Sequence, residues 1–243
     1  MSLEIVPPNE NFRGMSYGEW AAEWNKWLFS EDPDTYDGGN LLFLRGNVDY
    51  RPVGNQPDSL RYVNPEAIYD KTGKNKETII EGIAVFIPIL TSVLFLSDNY
   101  EGRIIKDEQE LRYFINKDTD NTREIWAAIK RKGEKNPIKL VKNLKQYRFE
   151  SPLFKIKVSP NSLLRNKMEV AVKPGIYDGI TAGYFIMIKS LPPSTYRLIF
   201  GGIGVGVYRT NSVYDIDVIK KEKEHTKDTS NAIINSKYFT SMT

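Results

Sequence analysis

Apolar positions along this chain follow two periods in turn. In SYGEWAAEWNKWLFS, residues 16–30, Tyr17, Trp20, Trp24 and Trp27 or Leu28 recur at helical spacing and build one apolar stripe. Ser16 and Glu19 have the spacing of a capping box, which predicts a helix over 16–29. Pro33 stops it, and DPDTYDGGN makes a turn. After the turn the period shortens to that of strands. LLFLR (41–45) is a short strand, and a polar, proline-containing loop covers 46–76. GIAVFIPILTSVLFLS (82–97) reads as two successive buried strands split by Pro88, too short and too interrupted to span a membrane.

Helical spacing returns briefly. Leu111, Phe114 and Ile115 fall on one side of DEQELRYFIN, and Asn121 with Glu124 repeats the capping-box spacing ahead of Ile125, Trp126 and Ile129. A small helical insert is therefore expected over 105–132. The clearest strands follow. In SPLFKIKV, Phe154, Ile156 and Val158 alternate with Lys155 and Lys157. GYFIMIKS, TYRLIFGG and SVYDIDVI repeat the signal, with the turn LPPST between the first two. Many strands at short spacing predict a mainly β fold. The expectation is an antiparallel β-sandwich, jelly-roll or immunoglobulin-like, with an N-terminal amphipathic helix and one helical insert. Residues 1–219 form one domain in this reading, and 220–243 a charged tail able to dock on a partner through Tyr238 and Phe239.

Composition narrows the chemistry more than it names it. The chain has 243 residues, no cysteine and one histidine. That removes disulfides, thiol nucleophiles, Cys-ligated metals and multi-histidine sites. His225 lies in the charged run KKEKEHTKD, where a solvated residue is favoured over a triad base. Net charge is +3, which selects no partner. The opening MSLEIVPPNENFRG lacks a basic stretch followed by an apolar one, so no signal peptide is expected; virion or cytoplasm is the expected location.

Each candidate site has a plainer competitor. The tryptophan stripe can stack on sugars or bases, but its spacing on a capped helix favours core packing for Tyr17, Trp20, Trp24 and Trp27. Asp32, Asp34 and Asp37 suggest a calcium loop, yet the third acid is displaced and Phe43 stands where the glutamate belongs. Asp118, Asp120 and Glu124 suit a helix N-terminus as well as a weak cation site. GGIGVG (201–206) lacks the dinucleotide spacing, so a hairpin or bulge with positive φ is expected. The stretch 130–148 carries eight basic residues against Glu134. Lys139, Lys142, Lys145 and Arg148 are its candidate contacts, and a solvated face, or a contact with an acidic neighbour, is favoured over nucleic acid. Paired acids, Glu19 with Glu23 or Asp215 with Asp217, offer acid–base chemistry only if a cleft surrounds them.

Over residues 12–219 the chain resembles a widespread family of uncharacterised bacterial and archaeal proteins, many secreted. The resemblance rests on the Tyr-Gly-Glu-Trp helix, LLFLRG, AVFIPIL, NLKQYRFESPLFKIKVSPNS, DGITAGYFIMIKSLPPSTYRLIFGG and SVYDIDVI. It implies no established activity and no catalytic residue. Two departures stand out: Tyr196 occupies the place of the family's histidine, and the cysteines common in its first half are absent. A virus-borne copy would account for the missing export signal. The expected function is a non-enzymatic structural or interaction module of a larger assembly, such as a virus particle or surface layer. It would be an oligomer or assembly subunit with no cofactor and no metal. A carbohydrate-binding module or glycan hydrolase is the first alternative, and a nucleic-acid binder through 130–148 the second.

Overall fold

The computed structural model describes residues 3–30, 41–45, 75–160, 173–205 and 209–221. Within them the chain is mainly β, with two α-helices, α1 (Tyr17–Leu28) and α2 (Glu108–Asp120). No helix among the described residues is long and apolar enough to cross a membrane.

The first sheet is built on the long strand β11 (Gly175–Ser190). β4 (Ala84–Phe95) pairs antiparallel along one side, and β2 (Leu41–Phe43) adds parallel to β4. Along the other side of β11 lie β10 (Phe154–Val158), β9 (Arg148–Glu150) and β1 (Glu4–Ile5). The second sheet runs β3 (Asn75–Ile80), β13 (Arg209–Ile219), β12 (Ser194–Ile203), β7 (Glu124–Arg131) and β8 (Ile138–Lys139). β3 pairs parallel with β13 and the remaining pairs are antiparallel. Neither sheet is purely antiparallel, contrary to the expectation from the sequence: each contains one parallel pair. A small hairpin, β5 (Asn99–Tyr100) with β6 (Arg103–Ile104), precedes α2.

The apolar segment at 82–97 is one strand rather than two. β4 skips Ile89 in its register with β11, so Tyr184 faces Leu90 and Phe185 faces Pro88. A bulge tolerates proline because the ladder is already interrupted there. The bulge keeps Phe86, Phe185 and Met187 on one side of the sheet, where Phe86 and Phe185 stack at 5.5 Å. Val85, Ile87, Ile186 and Ile188 point the other way, into the core shared with Leu198, Phe200 and Ile216 of the second sheet.

Helix α1 covers the first side. Its capping box forms as the spacing predicts: Ser16 Oγ accepts from Glu19 N–H at 3.3 Å, and Glu19 Oε2 accepts from Ser16 N–H at 2.7 Å. Burial extends beyond a stripe, to Gly18, Ala21, Ala22 and Asn25 as well, because residues before and after the helix wrap it. Tyr17 Oη donates to Val6 C=O and accepts from Met187 N–H, stitching helix, N-terminal segment and β11 together.

The insert at 105–132 is only half helical. α2 ends at Asp120, and Glu124–Arg131 is strand β7, with Ala127 and Ile129 inward. The capping-box spacing at Asn121 loses to ladder pairing with β12. Asp118 and Asp120 consequently sit in the last turn of a helix rather than the first. There the dipole disfavours them, and Tyr100 and Arg148 supply the compensating contacts.

Candidate functional site

Three of the four tryptophans serve the core. Trp20 Nε1–H donates to Phe12 C=O at 3.0 Å and Trp24 Nε1–H to Leu44 C=O at 2.8 Å. Trp27 packs on Phe43 at 5.5 Å beneath the Arg45 guanidinium. Tyr196 is fully buried between the sheets and donates to Pro192 C=O at 2.8 Å.

Of the paired acids, Glu19, Glu23 and Asp215 are engaged elsewhere, and Asp217 is exposed. Glu19 is used in the cap, and Glu23 pairs with Lys26 at 2.6 Å. Asp215 is clamped by Arg197, whose Nε and Nη2 donate at 2.6 and 2.7 Å. Asp118 accepts from Tyr100 Oη, and burial raises its carboxyl above the usual range. Asp120 pairs with Arg148 at 2.8 Å. A shallow depression of about 460 Å³ runs along α2 past Tyr113 and Asn116. Its cations are neutralised, Arg112 by Glu108 and Glu150, Lys117 by Glu101. Among the described residues no three His, Cys, Asp or Glu side chains are grouped to hold a metal ion. Asp32, Asp34, Asp37, His225, Tyr238 and Phe239 lie outside the described residues.

Among the described residues the basic stretch runs along the β8 edge of the second sheet. The turn after β7 uses Gly133 at φ +88°, a left-handed value that suits glycine. β8 then returns along β7, with Lys139 opposite Ala128, and Leu140 anchors the return in the core. Asn143 Oδ1 accepts from Lys145 N–H at 3.2 Å and opens a 3-10 turn, Leu144–Tyr147, pinned by buried Tyr147. Apolar anchors thus alternate with exposed Lys132, Lys135, Lys139, Lys142 and Lys145. None of these five has a carboxylate partner among the described residues, whereas Lys26, Lys117, Lys155 and Lys189 each have one. Arg148 leaves the group: it turns inward, its Nη2 donating to Asn116 at 2.6 Å.

The outer face of the same sheet holds residues that helical reading of 121–129 concealed. Register places Trp126, Gly201 and Asn211 in one row across β7, β12 and β13. The next row is Ala128, Ile199 and Val213, and the next Lys130, Arg197 and Asp215. The alternation of Trp126, Ala128 and Lys130 with Ala127 and Ile129 was the available signal. β12 and β13 pair antiparallel up to Ile203 opposite Arg209, as a hairpin at 201–206 predicts, but Gly201 and Gly202 lie inside β12 without positive φ. At Gly201 the requirement is space: an added Cβ would lie 2.2 Å from Thr210 C=O and 2.9 Å from the Trp126 ring.

No family model, curated protein or solved structure matches this chain.

Proposed function

We propose that this protein is a non-enzymatic interaction module that docks an acidic neighbouring protein on the β8 edge of its second sheet. The carrying observation is the run of exposed Lys132, Lys135, Lys139, Lys142 and Lys145, which have no carboxylate partner among the described residues and are interspersed with the buried anchors Leu140 and Tyr147. Like charges gathered along one edge steer encounter with an oppositely charged partner. A sandwich of jelly-roll or immunoglobulin-like kind is the carrier in this reading. The setting is a larger assembly such as a virus particle or surface layer. Burial of the α1 indoles supports the same reading, since it removes them from any groove.

Lysine-directed cross-linking of the assembly in its source, followed by mass spectrometry, tests the proposal. Lys139, Lys142 and Lys145 should link to one neighbour present at matching copy number. A free monomer in the source, with those lysines unlinked, overturns it.

A further inference from the structure

We infer that the outer face of the second sheet is a saccharide-binding platform centred on Trp126, separate from the lysine edge. Trp126 is the one tryptophan outside α1, and it is half-buried on the side of the second sheet away from the main core. One side of its ring lies against Gly201, so close that a methyl group there would meet ring carbon Cζ2 at 2.9 Å. Glycine thereby lets the indole approach the β12 backbone closely. Ala128, Ile199 and Val213 continue the apolar surface in the next row, and Ile199 is fully buried beneath its neighbours. Two rows on, Arg197 and Asp215 hold each other in a planar, bidentate pair. From the first row to the third is four residues of strand, about 13 Å. That suits an oligosaccharide rather than a single ring.

The polar atoms decide the ligand class. Trp126 Nε1 and Asn211 Oδ1 flank Gly201 in register, and both are shielded from water without a hydrogen-bond partner. One is a donor and the other an acceptor. A hydroxyl serves either, whereas a phosphate or carboxylate only accepts. A polyol with apolar C–H faces matches both halves of the site, stacking on the indole and satisfying the two orphaned atoms. Because both atoms are covered in the unbound chain, the indole and the carboxamide must turn outward on binding. Emission from Trp126 reports that turn, since the other three tryptophans are core residues.

The test titrates the full chain with cellohexaose, N-acetylated chitohexaose, maltohexaose and, separately, an oligothymidylate, by calorimetry and tryptophan emission. At least one hexasaccharide should bind and shift emission. Trp126→Ala should weaken that binding by about tenfold or more, and Asn211→Ala should weaken it as well. Trp126→Phe, which keeps a ring and removes the N–H, should fall between. Should Trp126→Ala fail to fold, Trp126→Phe and Asn211→Ala carry the test. Lys139→Glu, Lys142→Glu and Lys145→Glu together should leave it unchanged, which separates this site from the lysine edge. Silence from all three sugars at millimolar concentration overturns the inference. So does sugar binding indifferent to Trp126 and Asn211, or salt-sensitive binding of the oligothymidylate in their place.

Discussion

Gly18 of α1 sits against the backbone of Glu150 in β9: a Cβ added at Gly18 would lie 2.3 Å from the Glu150 carbonyl oxygen. Glycine therefore sets the distance at which the tryptophan helix rests on the first sheet. Tyr17 beside it stacks on Phe149 at 4.4 Å, with the planes 5° apart. The Tyr-Gly pair at the head of the helix is a docking device in which the ring packs and the missing side chain admits the strand.

Gly18→Ala should accordingly cost about 3 kcal/mol, since backbone blocks the methyl group on a rigid strand. That corresponds to a fall of roughly 10 °C in melting temperature. Gly14→Ala is the control. An added Cβ there meets nothing within 4 Å, but φ is +81°, so only left-handed strain of about 1 kcal/mol is expected. Thermal unfolding followed by circular dichroism compares them. Equal losses in the two variants would show that close packing at Gly18 is not what glycine provides.

The position of this contact also shows what could be read from the chain alone. Helix α1, its cap and its buried indoles follow from local spacing, because cap chemistry and helical period lie within fifteen residues. Strand β10 shows the inward and outward alternation of Phe154–Val158 for the same reason. What was not legible depends on partners distant in sequence. Nothing local says that Gly18 needs the carbonyl of Glu150, that Pro88 falls at a bulge opposite Phe185, or that β3 pairs parallel with β13. Trp126 was misread because a capping spacing at Asn121 outweighed a short alternation whose meaning is fixed only by β12. The lysine edge was visible as composition. That Arg148 leaves it was not, because Asn116 and Asp120 lie on a helix some thirty residues earlier.

Tyr214 gives a test at alkaline pH. Its hydroxyl donates to Arg45 C=O at 3.0 Å and accepts from Arg45 N–H at 2.9 Å, tying β13 to the end of β2. Burial pushes its pKa up to about 12, from 10.0. The folded state thus holds the proton more tightly than the unfolded state. This contribution is complete below pH 10 and is lost as pH rises from about 10 to 12, amounting to about 3 kcal/mol in all. Tyr17, raised by burial as well, acts in the same direction. Urea unfolding at intervals across that window should show a shallower loss for Tyr214→Phe than for the unaltered chain. Below pH 10 the variant should be less stable by about 1 kcal/mol, from the lost hydrogen bonds. Parallel pH curves would dismiss the hydroxyl as the titrating group.

The cap at Ser16 should be worth less than the glycine contact. Ser16→Ala removes the acceptor for Glu19 N–H and should cost about 1 kcal/mol, read as a lower urea midpoint. The hydrogen bond from the Ser16 backbone holds the Glu19 carboxyl below its ordinary value of 4.5. Its contribution is present above that value and is lost as pH falls below it. Glu19→Gln should therefore lower neutral stability slightly and flatten the acid side of the stability curve, the two chains converging at low pH. A variant as acid-sensitive as the original would mean that Glu19 does not act through its charge.

The lysine edge predicts a separation of binding from stability. Lys139, Lys142 and Lys145 are exposed and have no carboxylate partner among the described residues, while the anchors between and after them, Leu140 and Tyr147, are buried. Replacing the three lysines by glutamate removes no packed side chain and breaks no ion pair among the described residues. Melting temperature should move by no more than the shift expected from about 0.5 kcal/mol. Binding should change far more. On a poly-L-glutamate resin the unaltered chain should be retained at low salt and released as salt screens the interaction over about 10 Å at 0.1 M. The triple variant should pass through unretained. Equal retention of the two chains would place the binding surface elsewhere, and a collapse of melting temperature in the variant would mean that the edge serves the fold rather than a partner.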